Sequence, residues 1–341
     1  MADAPEPTPS AVPGPAAAQN TAIEADPHNE LEEGDDDVSE YGASDTSSLG
    51  SSIYKYRVEN GRTYQRDGTY FMPSDPHEKA RLDLQHNLCI LMQDNRLYIS
   101  PAGKNKPLGR VLDAGCGTGI WAIDFADEHP ETTIIGVDQD AALPTYVPPN
   151  VEFLVDDLEA EWTYGRPFDF IYMRMLCGSI KDWPKLFNQA FTHLTPGGYI
   201  EVLDPINPMQ SDDGTLPDDC AVIRWNRLLL DASTQLGSPL DSARLYKTQL
   251  AEAGFVGIVQ TEYKWPMNSW PREKKYKDLG AWTYENITAG LQALSLMLFT
   301  HVLGWTPNAV EALLVEVRKD MKNRNIHSYW PVYTIYAQKP E

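Results

Sequence analysis

Residues 111–121 read VLDAGCGTGIW, an apolar segment that leads into three alternate glycines and then into an apolar helix start. Glycines at the end of a strand let the backbone approach a ligand closely, because no Cβ stands in the way. A dinucleotide-binding fingerprint would place its third glycine at position 120, where this chain has Ile120. The turn therefore predicts a ligand site of another kind, with Asp113 just before it.

Carboxylates follow the next two predicted strands. The segment 134–137 is followed by Asp138, nineteen residues after Gly119, where a carboxylate can accept hydrogen bonds from both hydroxyls of a ribose. The segment 151–155 is followed by Asp156 and Asp157, where a carboxylate can accept from an exocyclic adenine amine. Asp157 is the preferred residue for that role and Asp156 the alternative. Nicotinamide enzymes share the ribose carboxylate, so Asp138 alone does not separate the two classes.

The chain around this stretch alternates between strand and helix patterns, which predicts an α/β fold with a parallel sheet. The predicted strands are 110–113, 133–138, 151–155, 168–173, 199–203, 256–263 and 329–338. The predicted helices are 75–92, 121–128, 183–194, 219–236, 240–253, 279–303 and 307–322.

Four segments together resemble the motifs of class I S-adenosylmethionine-dependent methyltransferases: 111–121, 136–138, 151–157 and 194–202 with its LTPGG sequence. The resemblance implies a Rossmann-like seven-stranded sheet, with the last strand, 329–338, inserted antiparallel and with helical cap insertions. It also implies S-adenosylmethionine as the cofactor, which carries an ammonium that Asp113 can hold. No metal is expected. The implied cofactor-binding residues are Asp113, Ala114, Gly115, Gly117, Gly119, Asp138, Asp156 and Asp157.

A narrower resemblance, to fungal LaeA-like methyltransferases, extends over nearly the whole chain after Ser51. That family includes nuclear regulators of secondary metabolism and enzymes that act on small molecules, so the resemblance narrows the chemistry but not the acceptor. The matching segments are 59–64 (ENGRTY), 70–73, 75–78, 182–184 (DWP), 326–329 and 331–333.

The N-terminal leader differs in composition from the rest of the chain. Residues 1–53 contain twelve Asp or Glu residues and no Lys or Arg, and so supply -12 of the formal net charge of -21. We predict a disordered acidic tail over 1–53, a helical cap segment over 54–108 and the methyltransferase domain over 109–341. Within that domain, helical insertions are expected at 205–255 and 270–325.

Several classes of function are disfavoured by composition. The four cysteines form no CxxC pair, which argues against a zinc site or a disulfide framework. The acidic net charge repels nucleic acid, and the longest apolar run, 291–303, is too short for a membrane span. Without a signal sequence, a cytoplasmic or nuclear location is expected. The basic residues Arg272, Lys274, Lys275 and Lys277 fit either an import signal or a solvated helix start.

The sequence does not single out a catalytic base. Candidates are His77 and His86 on the first helix, and Tyr172, Arg174 and Lys181 near the exit of the fourth strand. His301 and His327 fit structural roles. The aromatic residues Trp282, Tyr284 and Trp305 fit either an acceptor pocket or simple core packing.

Three functions compete at this stage. The first is a methyltransferase that acts on a small aromatic or polyketide-like metabolite. The second is a nuclear regulator that acts through protein partners, which the acidic leader favours. The third is a nicotinamide-dependent oxidoreductase, which Ile120 disfavours.

Overall fold

A computed structural model describes residues 22–27, 56–65, 70–144 and 146–341. The predicted disordered tail therefore lies outside the described residues except at 22–27, and these residues dock on the globular part. The N–H of Asp26 donates to the Trp270 carbonyl at 2.9 Å, and the N–H of Arg272 donates to the Glu24 carbonyl at 2.9 Å. Asp26 also pairs with Lys277, so this short acidic segment meets the basic cluster singled out in the sequence.

One large sheet forms the centre of the molecule, in the order β5-β4-β3-β6-β7-β10-β9, and the short strand β8 also pairs with β10. Strands β3 to β7 are mutually parallel, whereas β10 is antiparallel to both β7 and β9. This confirms the expected sheet with an inserted antiparallel last strand, to which β8 is an addition. A separate hairpin, β1 with β2, precedes the sheet. The strands are β1 Tyr56–Glu59, β2 Arg62–Gln65, β3 Arg110–Ala114, β4 Thr133–Asp138, β5 Val151–Val155, β6 Phe168–Arg174, β7 Leu194–Pro205, β8 Gln210–Ser211, β9 Val256–Pro266 and β10 Ser328–Gln338.

The helices follow the predicted pattern closely, and side chains cap several of their N-termini. The Asp75 carboxylate accepts the N–H of Glu78 at 3.0 Å ahead of α1, and Thr306 caps α7 in the same way at 3.3 Å. Helix α6 begins five residues earlier than the apolar pattern indicates, because its first turn is mostly polar. The helices are α1 Pro76–Met92, α2 Ile120–Glu128, α3 Trp183–His193, α4 Ala221–Leu236, α5 Ala243–Glu252, α6 Lys274–Met297 and α7 Pro307–Lys322, with a π-helical turn at Leu298–Val302 after α6.

Three apolar clusters hold these layers together. On one sheet face, Phe187 of α3 and Tyr246 of α5 pack with Ile200 and Ile335. On the other face, Trp121 of α2 packs with Val111, Phe170 and Tyr172. Helices α1, α4, α6 and α7 bury a third cluster beside the sheet, and this helical cap covers the edge at which the parallel strands end.

The register of the sheet decides which side chains meet at that edge. Asp113 of β3 is paired with Gly136 of β4 on one side and with Tyr172 of β6 on the other. Alternate residues of a strand share a face, so Asp113, Tyr172 and Arg174 point to the same side of the sheet. Ligands of open α/β sheets bind at such carboxyl ends.

Candidate active site

The glycine-rich turn after β3 takes a backbone shape that only glycine adopts readily. Gly115 and Gly119 have φ angles of 77° and 78°, in the left-handed region. A Cβ on Gly115 would lie 2.4 Å from Cδ2 of Leu176, and one on Gly119 would lie 2.4 Å from Cζ of Phe153. The turn is fixed to β4, because the Val137 carbonyl accepts the N–H groups of Gly115 at 2.8 Å and Cys116 at 2.9 Å.

Asp138 at the end of β4 closes the turn from the other side. Its carboxylate accepts the N–H of Gly117 at 2.8 Å and the N–H of Asp140 at 2.9 Å. Burial raises the pKa of this carboxyl, and both backbone hydrogen bonds oppose that rise. Asp138 thus joins the glycine turn to the loop after β4.

Asp113 and Arg174 form an oppositely charged pair of groups at the same edge. Asp113 is buried, and its Oδ2 has no hydrogen-bond partner among the described residues. Burial raises the pKa of this carboxyl to about 7, and the positive charge of Arg174 opposes the rise. A buried carboxylate oxygen without a donor is costly, which indicates that this oxygen takes its donor from a ligand.

A cavity lies at this edge of the sheet, and the buried Asp113 is not among the residues that line it. Gly115, Gly117, Asp138 and Arg174 line it, together with residues of the cap and of the neighbouring loops. The remaining lining residues are Gln65, Tyr70, Pro73, Ser74, Glu78, Lys79, Leu82, Thr118, Gln139, Asp140, Leu158, Glu159, Met175, Leu176, Ser179 and Ile180.

Helix α1 and the hairpin cover this cavity through direct polar contacts. Thr118 of the glycine turn donates to Asp83 of α1 at 2.7 Å. Lys79 of α1 donates to the Ala142 carbonyl at 2.6 Å, and Tyr56 of β1 donates to Asp140 at 2.9 Å. The N-terminal segment therefore contributes to the wall of the site through the hairpin as well as through α1.

Other predicted site residues lie beside the cavity. Ala114 is fully buried at the end of β3, and Gly119 is the N-cap of α2. Asp157 is exposed, and its carboxylate accepts Nε2–H of Gln139, a cavity residue, at 2.9 Å. Asp156 is exposed as well and accepts the N–H of Asp157 at 2.8 Å.

None of the five candidate bases is placed as a free base in the cavity. His86 is buried, and burial together with the charge of Arg174 lowers its pKa to about 4. Tyr172 is buried against Trp121, and burial raises the pKa of its hydroxyl. His77 and Lys181 are exposed and lie outside the cavity lining. Only Arg174 lines the cavity, and a guanidinium does not act as a base.

The aromatic residues singled out in the sequence are not those beside the site. Trp282 is 40% exposed and, with Tyr284, borders a different surface depression, whereas Trp305 stands next to α7. A second cavity, adjoining the first, is lined instead by Trp225 of α4, Trp265 of β9 and Trp330 of β10. Sequence reasoning missed these three because only the fold brings them together.

Known proteins agree with this geometry. A family model described as a methyltransferase domain matches residues 84–260. "Methyltransferase pytC" of Aspergillus terreus is 39% identical over 93% of this chain and 98% of its own length. The "secondary metabolism regulator LAE1" of Cochliobolus heterostrophus is 38% identical over 83% of this chain and 95% of its own length.

The chain belongs to the LaeA-like class I methyltransferases. As a methyltransferase of this family it uses S-adenosylmethionine as its cofactor, which removes the nicotinamide-dependent alternative. A solved phosphoethanolamine N-methyltransferase 2 of Haemonchus contortus superposes with a TM-score of 0.42 and 19% identity over 75% of this chain and 53% of that chain.

Two further properties of the described part of this LaeA-like methyltransferase concern membrane-spanning helices and metal-binding groups of side chains. No helix within the described ranges is both long and apolar enough to span a bilayer. Among the same residues no group of His, Cys, Asp and Glu side chains is arranged to hold a metal ion.

Proposed function

We propose that this methyltransferase transfers the methyl group of S-adenosylmethionine to a small-molecule acceptor. The observation that carries the proposal is the adjacency of two cavities. Tyr70, Leu82, Met175 and Ser179 line both the cavity over the glycine turn and the tryptophan-lined cavity beside it. A donor in the first cavity and an acceptor in the second would therefore both contact these four shared residues.

The first cavity, with the buried carboxyl of Asp113 and the exposed Asp157 beside it, supplies complementary groups for each part of the cofactor. We assign the free carboxylate oxygen of Asp113 to the ligand ammonium and the guanidinium of Arg174 to the ligand carboxylate, because the two lie on one face of adjacent strands. Asp138 would accept from the ribose hydroxyls. Asp157, with Asp156 as the alternative, would serve the adenine end, where its carboxylate accepts a hydrogen bond from Gln139 of the loop after β4. Ala114, Gly115, Gly117 and Gly119 shape the turn.

Methyl transfer requires the side chains mainly to position the two reactants. When bound, the cofactor supplies an activated methyl group on a sulfonium: the sulfur–carbon bond breaks as the bond to the acceptor forms, and the electron pair stays on sulfur. The protein contributes orientation and exclusion of water, which together account for large rate factors. A proton leaves the acceptor only if the attacking atom carries one.

Met175 is a second sign of a specialised wall between the cavities. It has a φ angle of 58°, which is uncommon for a residue other than glycine. Its N–H donates to the Leu203 carbonyl at 2.9 Å, which holds it in this conformation. Such outliers cluster at functional sites, and this one follows Arg174 directly.

A second function is favoured by one specific observation, the 38% identity to a protein named as a secondary metabolism regulator. In that alternative, the chain acts through regulatory protein partners in the nucleus, and the acidic leader over 1–53 is a docking segment. The enzyme reading places the chain in the cytoplasm or the nucleus. Both readings keep the same division into a leader, an N-terminal cap over 54–108 and the methyltransferase domain over 109–341.

The test is transfer of a labelled methyl group from S-adenosylmethionine to the separated small-molecule and protein fractions of a fungal extract. We expect label in a small molecule, and loss of that label in Asp138→Ala. Label in the protein fraction alone, with cofactor bound, would overturn the proposal and support the regulator.

A further inference from the structure

The second cavity shows what kind of acceptor it fits. Its wall is formed by the cap helices and by the ends of β9 and β10, and three tryptophans, Trp225, Trp265 and Trp330, dominate it. All three are at most 5% exposed. Rigid aromatic walls of this kind favour flat ligands, because ring faces stack with little loss of side-chain entropy.

The polar atom of each indole is already used by the protein. Nε1–H of Trp225 donates to Ser295 at 2.8 Å, and Nε1–H of Trp330 donates to Asn226 at 2.7 Å. Nε1–H of Trp265 points to the sulfur of Met92 at 2.9 Å. The three rings therefore offer their carbon surfaces to the cavity and no free donor.

Arg81, the one charged side chain that the described residues contribute to the wall, is also neutralised. Its guanidinium donates to Glu78 at 2.6 Å and to Asn286 at 2.8 Å, with both partners buried. An anionic ligand would have to compete with the fixed carboxylate of Glu78, and a cationic ligand would meet the guanidinium. An ion entering this wall would lose its hydration without a free counter-charge, which is costly.

Uncharged polar groups also line this wall, among them Asn207, whose Oδ1 accepts Nε1–H of Trp330 at 3.2 Å. Ser179 lines both cavities, and Gln85 of α1 stands in the wall of the second. Within the described part of the chain, the side chains of Ser179 and Gln85 retain the capacity to form hydrogen bonds with a ligand. They would orient a single polar atom of the ligand toward the wall shared with the donor.

We propose that the methyl acceptor is an uncharged, flat and largely apolar molecule, bound between Trp225, Trp265 and Trp330 with its reacting atom turned toward Ser179 and Met175. This inference rests on the proposed function and narrows it to a chemical class. It makes the three indoles and the neutralised Arg81 the determinants of specificity, since they reject charge rather than recognise a particular group.

The probe pair is 2-naphthol and naphthalene-2-sulfonate, which share a ring system and differ in charge at pH 7. Binding of each to the full chain loaded with S-adenosylhomocysteine is measured by calorimetry. We expect 2-naphthol to bind at least tenfold more tightly than the sulfonate, about 1.4 kcal/mol. Equal or tighter binding of the sulfonate would overturn the inference.

A charge placed in the wall should reverse this preference. Ile287 of α6 lines the cavity and is only half-buried, so Ile287→Lys is expected to fold and to favour the sulfonate. Val315→Lys adds the same charge on an exposed part of α7 and serves as the matched control. If Ile287→Lys fails to bind S-adenosylhomocysteine, Leu294→Lys replaces it in the same wall. An unchanged ratio in the lysine variant would contradict the inference.

The two proposals fail differently in this design. Absence of S-adenosylhomocysteine binding, or methyl transfer to protein alone, would contradict the proposed function, regardless of the affinity for 2-naphthol. Normal cofactor binding and transfer to a charged small molecule leave the proposed function standing and overturn only the class of acceptor.

Discussion

Nη2 of Arg174 lies 3.1 Å from Nδ1 of His86, whose Nε2 lies 2.9 Å from Asp124. A guanidinium only donates, so Nδ1 is the accepting nitrogen and Nε2 carries the hydrogen that goes to Asp124. Neutral His86 thus orients the guanidinium that lines the cavity over the glycine turn, and it does so as a positioning residue rather than as a base.

This arrangement predicts a specific dependence of stability on pH. The folded pKa of His86 is lowered to about 4 by burial and by Arg174, below its ordinary value of 6.5. The unfolded chain therefore takes up a proton first, and stability falls as the pH drops from about 6.5 to 4. His86→Gln can keep both hydrogen bonds without titrating. Urea unfolding should show the advantage of the native chain over this variant shrinking across that window, by ~3 kcal/mol at most. A constant difference would contradict a neutral His86.

Cofactor affinity should depend on pH through Asp113. Its pKa is raised to about 7 by burial, so the carboxyl gains a proton as the pH falls below 7 and then cannot hold an ammonium. We expect binding of S-adenosylhomocysteine to weaken about tenfold between pH 8 and pH 6. Asp113→Asn should bind more weakly and show no such slope. The same slope in both proteins would assign the titration to another group.

The carboxylates of Asp138 and Asp157, which we assign to the nucleoside part of the cofactor, should contribute differently to cofactor affinity. Asp138 lines the cavity and holds two backbone amides, whereas Asp157 is exposed beside it. Asp138→Ala should weaken cofactor binding about 10- to 100-fold, the loss of one or two hydrogen bonds to a charged group. Asp157→Ala is expected to cost less. Calorimetry on both variants decides, and a larger effect at Asp157 would mean that the ligand reaches further along β5 than the cavity indicates.

Two buried tyrosines form a matched pair for stability. The Tyr172 hydroxyl has no partner among the described residues, and its ring stacks on Trp121 at 4.1 Å and 7°. The Tyr246 hydroxyl donates to Asp204 at 2.8 Å. Tyr172→Phe should raise the free energy of unfolding by about 1 kcal/mol, whereas Tyr246→Phe should lower it by about 1–2 kcal/mol. Methyl transfer should survive in Tyr172→Phe; its loss would restore Tyr172 as a candidate base.

The central part of the fold could be predicted from the sequence, because the patterns that indicate it lie within short segments of the chain. The turn at 111–121, the acid at the end of β4 and the LTPGG sequence at the start of β7 lie within short segments whose periodicity predicts strand or helix. The parallel order then follows from strands separated by helices. The antiparallel last strand came from the resemblance, because nothing in the local pattern of 329–338 sets its direction.

The rest depends on contacts across long stretches of chain. Trp225, Trp265 and Trp330 come from three elements spread over about a hundred residues, so no periodicity joins them. The docking of residues 22–27 was hidden for a similar reason. A segment dominated by acids reads as solvated, and only the fold places Asp26 beside Lys277.

The most direct measurement is a crystal structure of the chain with S-adenosylhomocysteine. The account predicts the ligand ammonium at Asp113, the ribose at Asp138 and the sulfur at the wall shared by the two cavities, beside Met175. A sulfur that faces away from the tryptophan-lined cavity, or a ligand bound elsewhere than over the glycine turn, would contradict it.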